Sequence, residues 1–144
     1  MPSPRDTYLT AVVECLQQIR TSNGFLTDIG ANVTREPAPK VADDAEFVTV
    51  VWGRQDRPAD PGLARTSRLT TLQIMAKVPA ALDDAQERID QVLSDIERAL
   101  DGQLTKFPTG YQFPQYQSAE PLNGAAADGW AGVVVTATGH IPKR

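Results

Sequence analysis

The sequence predicts an α+β domain, a mostly antiparallel sheet of about four to five strands with two helices packed on one face. Three observations predict it. Two helix-like stretches, 4–20 and 83–101, carry apolar residues at helical spacing, and two strand-like runs, 46–52 and 68–78, lie between them. A third β-branched run, 130–138, closes the chain. The resulting element order is α-β-β-β-α-β-β, with one long hairpin arm.

The first helix is expected over 4–20. Ser3 suits the N-cap, Pro4 suits the first helical position, and Asp6 falls where an acid meets free backbone N–H groups. Tyr8, Val12, Cys15, Leu16 and Ile19 recur as one stripe, and Asn23-Gly24 supplies a stop. A short strand is expected around Ala31–Arg35, ended by Pro37-Ala38-Pro39. The next two strands are Glu46–Trp52 and Arg68–Val78, rich in side chains that fit a pleated surface. In the second, Leu72, Ile74, Ala76 and Val78 alternate with Thr71, Gln73, Met75 and Lys77, so one face is buried. Val50-Val51 makes the first apolar on both faces, which suits covering by a helix on one side and by a neighbouring subunit on the other.

The second helix opens with Asp83 and Gln86 in capping-box spacing, runs along the stripe Ile89, Val92, Leu93, Ile96 and Leu100, and stops at Gly102. Its other face, with Glu87, Arg88, Asp90, Asp95, Glu97 and Arg98, is expected to be solvated. A strand around Tyr111–Glu120 then pairs with Trp130–Thr138 through the turn Asn123–Gly129.

The chain has 144 residues, enough for one domain (1–144) with a core that needs no metal or disulfide. Its net charge of −4 argues against general nucleic-acid binding. One cysteine cannot form an internal disulfide, which suits a reducing compartment. No basic segment followed by an apolar stretch opens the chain, and no apolar run approaches the ~20 residues of a membrane span. The expectation is a soluble protein made in the cytoplasm, with no membrane partner.

Residues in patterns that carry chemistry are few. His140 has no second His or neighbouring Cys with which to hold zinc, so no metal site is expected. Cys15 lies on the apolar helical stripe, where a thiol behaves as a small hydrophobe. Neither a dinucleotide-binding glycine pattern nor a phosphate-binding loop occurs. Asp43-Asp44 reads as a solvated loop and Asp83-Asp84 as helix capping. No catalytic set emerges, no cofactor is implied, and the expectation is a non-enzyme.

Two features remain. The connection Gly53–Ser67 is 15 residues long, where hairpins ordinarily use about 2–5. It contains Arg54, Arg57 and Arg65, with Arg68 just beyond, and is broken by Pro58, Pro61 and Gly62. Such an arm (53–67) is expected to be flexible and to gain order against a partner, its guanidiniums pairing with acidic surfaces on another subunit. The alternative is a mobile, solvated loop. Tyr111, Phe113 and Tyr116 either close the core or present an exposed contact surface.

The helix ending near Ile19–Phe25, the strand–long loop–strand unit 46–78 and the helix 83–100 following Val78-Pro79-Ala80 together resemble the tail-terminator (minor tail protein U-like) family of long-tailed bacteriophages. The likeness is one of element order rather than of a specific motif, and it is weakest after Gly102. It implies a structural protein of the virion tail, assembled in the host cytoplasm, that forms a six-membered ring on the finished tail tube. That ring would end tube polymerisation and offer the surface for head attachment. Its implied partners are further copies of itself, the tail tube protein and a head–neck connector protein. The competing readings are another head–tail connector subunit and a monomeric α+β module that binds a peptide or small ligand.

Overall fold

The computed structural model describes residues 3–35, 46–64, 66–79, 84–102, 105–121 and 130–142. The fold is mixed α+β. Helix α1 spans Pro4–Leu16, strand β1 Val33–Thr34, and strand β2 Phe47–Asp56. A single helical turn, α2 (Pro61–Ala64), precedes β3 (Ser67–Pro79) and α3 (Ala85–Gly102), and β4 (Gln115–Pro121) and β5 (Trp130–Pro142) complete the chain. The strands form one sheet in the order β1-β2-β3-β5-β4. β1 runs parallel to β2, and every other pairing is antiparallel.

β3 anchors the sheet, pairing with β2 from Lys77 opposite Phe47 to Leu69 opposite Asp56, and with β5 along its whole length. Its alternation sets the layers. Leu72, Ile74, Ala76 and Val78 are buried, while Thr71, Gln73, Met75 and Lys77 are half-buried on the other face. Val48 and Val50 of β2 and Val133, Val135, Ala137 and Ile141 of β5 join the buried side. Tyr8, Val12, Leu16 and Ile19 from the first helical segment, and Val92, Ile96 and Ala99 of α3, pack onto it. Burying a side chain of that size is worth roughly 1.5–3 kcal/mol, so this single layer is the chief stabilising element.

Helix α1 starts as its sequence predicts: the Ser3 side chain accepts from the Asp6 N–H and Pro4 occupies the first turn. It ends at Leu16, four residues earlier than expected, because Gln18 and Ile19 donate to Cys15 and Leu16 and tighten the backbone. Asn23 Nδ2 donates to the Gln18 carbonyl at 2.8 Å, and Gly24, at φ +89°, reverses the chain. The stripe on α3 is buried except at Leu93, which is half-buried. Asp83 of the expected capping box, Asp43-Asp44 and the turn Asn123–Gly129 lie outside the described residues.

The expected solvated face of α3 needs correcting. Asp95 is only 1% exposed, and its carboxylate accepts from the N–H groups of Leu26 and Thr27 and from the Thr27 hydroxyl at 2.7–3.0 Å. Arg88 grips Glu46 with both carboxylate oxygens within 2.9 Å. Arg98 donates to the Gly24 carbonyl and stacks over the Phe25 ring. Three of the helix's charged side chains therefore bind the 24–27 segment and the start of β2. A periodicity argument that counts charges cannot see such tertiary partners.

Candidate assembly interface

The long connection is shorter than its composition suggests. β2 continues through Asp56, with an irregular step between Trp52 and Arg54, and β3 begins at Ser67. Gly53 takes up that step. The connection proper is 57–66, and it contains the α2 turn, whose Gly62 N–H is held by Asp60 Oδ1 at 2.8 Å. Three of the four arginines singled out in the sequence are thereby placed apart. Arg54 is a strand residue paired with Asp56 at 2.9 Å, which raises its affinity for its proton. Arg57 is exposed at the start of the loop, and Arg68, half-buried in β3, donates to the Ser67 carbonyl. Arg65 lies outside the described residues.

A different cluster forms at the outer side of β2, and sequence reading missed it. Trp52 is 52% exposed, one of two large apolar side chains left open among the described residues. The Arg5 guanidinium lies over its ring, 5.6 Å from the centroid, and also donates to Gln55 Oε1 at 2.8 Å. A groove of about 400 Å³ runs beside it, lined by Leu9, Arg35, Val50, Val51 and Trp52. Arg35 is tied to Asp6 of α1 by an ion pair and reaches Thr10. The signal in the sequence is faint: Trp52 is a bulky aromatic at a strand's last regular position, and Arg5 lies one helical turn before Leu9. Only the fold brings the two together.

The aromatic residues after Gly102 turn inward. Tyr8 meets Phe107 edge-on at 5.7 Å and stacks on Tyr111 at 6.2 Å, and Phe107 contacts Phe113 at 4.6 Å. Tyr111, Phe113 and Tyr116 are all half-buried against the core. Of the two expectations for these residues, core closure is the one their contacts favour. β4 itself has five of its seven residues facing solvent on the sheet's other rim, Gln115, Gln117, Ser118, Glu120 and the terminal Pro121.

His140 is half-buried in β5, where its N–H and its ring Nδ1 both approach Gln112 Oε1 at 2.9 Å. Cys15 is buried in α1, its Sγ 3.7 Å from the Ala99 carbonyl. Among the described residues, no group of three or more His, Cys, Asp or Glu stands close enough to hold a metal ion. No helix among them is long and apolar enough to cross a membrane. No protein-family model and no curated protein sequence matches this chain.

Proposed function

We propose that this chain is a structural assembly subunit without catalytic activity, of the tail-terminator kind: a ring of copies that caps a phage tail tube, halts its growth and receives the head. The observation that carries the reading is the exposed Trp52 flanked by Arg5 and Arg35 beside an apolar groove. Trp and Arg are the side chains that dominate the buried centres of protein interfaces. Arg54 and Arg57 extend the cationic rim along the hairpin. The element order that resembles the tail-terminator family supports the particular role.

The test is tube length. Tail tubes polymerised with the parent protein should stop at a defined length, and tubes polymerised with Trp52→Ala should run on. If tubes stop equally well without the chain, it is not a terminator, and a connector role elsewhere in the neck takes its place. A monomeric peptide-binding module is the reading that the same groove would otherwise serve, and oligomeric mass separates the two.

A further inference from the structure

Resting on that assembly reading, we infer that the outer edge of β2, Val50–Asp56, pairs with β4 of a second copy of this chain, so that the sheet runs on from subunit to subunit. β1 pairs only with Val48 and Thr49. Among the described residues, no strand pairs with the remainder of β2 on the side away from β3. β2 is ten residues long, and its last seven, Val50–Asp56, extend past β1; β4 is also seven residues long. A row of open backbone N–H and C=O groups is a template for an incoming strand.

Direction fits. β2 and β5 run one way, β3 and β4 the other. A like-oriented copy placed at the far rim therefore brings its β4 antiparallel to β2, with the helices of both copies on the same side. Faces fit as well. On β2, Val50, Trp52 and Gln55 share the helix-covered side with Ile74, Leu72 and Thr70, and Val51, Arg54 and Asp56 take the other. On β4, Tyr116, Ala119 and Pro121 share that covered side with Ala137, Val135 and Val133, and Gln115, Ser118 and Glu120 take the other.

Setting Pro121 opposite Val50 matches faces over all seven residues, because the irregular steps at Gly53 and Gln117 then meet in the middle of the pairing. A slip by one residue would put every side chain on the wrong side. In this register the small Ala119 lies opposite the exposed Trp52 and leaves room for its ring. Pro121, which cannot donate to a ladder, falls at the end against β1. Charge agrees too: Glu120 is the one charged residue of β4, and it takes the same face of the sheet as Arg54 of β2. Each subunit uses two different patches, so the contact is head-to-tail and closes into a ring if its rotation permits.

Cysteine cross-linking tests it. In a Cys15→Ser background, Val51→Cys and Glu120→Cys are made as separate proteins, mixed and oxidised. Facing side chains in such a pair stand roughly 4.5–5.5 Å apart at Cβ, close enough to bridge. A disulfide-linked dimer should form in the mixture and not with either protein alone. Asp56→Cys with Gln115→Cys probes the other end of the register and serves if the first pair does not fold. A ring by native mass with no cross-link at either pair overturns the edge pairing and leaves the assembly reading standing. A protein that stays monomeric at every concentration overturns both.

Discussion

At the scale of single residues, the Tyr8–Gly139 contact is the tightest constraint. The Tyr8 hydroxyl is buried, has no hydrogen-bond partner among the described residues, and lies 1.9 Å from where a Cβ on residue 139 would be. Burial pushes the phenol pKa well above its ordinary value, so the ring stays protonated. Gly139→Ala is expected to cost about 1–3 kcal/mol by overpacking, read from urea unfolding. Tyr8→Phe should be neutral or slightly stabilising, because it removes a polar group that costs free energy when buried without a partner. Combining the two should recover part of the loss, though not all, since the ring carbon and the Gln112 carbonyl also lie 3.0 Å from the added methyl. Full additivity of the two changes would show that the hydroxyl is not the obstacle.

Asp28 gives a pH dependence at the same scale. The Thr21 backbone N–H, followed by the Thr21 hydroxyl, holds its carboxyl below the usual carboxylate range. A group with a lowered folded pKa stabilises above its unfolded value, about 3.9 for Asp, and that contribution fades as pH falls through the folded value. The parent should therefore lose more stability between pH 6 and pH 3 than Asp28→Asn does. Parallel acid limbs would mean the Thr21 bonds contribute nothing.

At the scale of elements, Asp95 is the residue through which α3 holds the 24–27 segment. Asp95→Ala leaves the N–H groups of Leu26 and Thr27 without their acceptor, at about 1–3 kcal/mol for each one that stays buried. Hydrogen exchange should quicken at those two amides, and unchanged exchange there would sink the assignment. Ile96→Ala, deeper in the same helix, should cost about 2–5 kcal/mol through lost transfer energy and a cavity, more than Leu93→Ala at its half-buried position.

These elements also mark what the sequence can reveal. Periodicity found α3, the alternation in β3 and the N-cap of α1, because each depends on neighbours a few residues away. It overran α1 by four residues, since the tightening after Leu16 answers to packing of the 24–30 segment. It made the hairpin arm too long, because Arg54-Gln55-Asp56 has no strand propensity of its own and is held by pairing with Leu69, Thr70 and Thr71. Asp95 looked like any other acid on a polar face until the partner segment was placed. The candidate interface was half legible: the arginines of the hairpin were visible, whereas the meeting of Trp52, Arg5 and Arg35 from three separate segments was not.

At the scale of the whole molecule, one sheet face is sealed by α1 and α3, and the cationic rim at β2 stands at the opposite end of the sheet from Glu120. Charge reversal of Arg54 and Arg57 together should leave the melting temperature nearly unchanged, since both are exposed. Self-association should weaken instead, more at low salt, where exposed charges are less screened. A core-like loss of stability would mean that the hairpin serves the fold rather than assembly.

Native mass spectrometry of the purified full chain over a wide concentration range tests the central claim most directly. The account predicts a discrete closed oligomer, a ring of six on the tail-terminator reading, that dissociates when Trp52 is replaced by alanine. A protein that remains monomeric throughout, with the same mass for parent and variant, would contradict it.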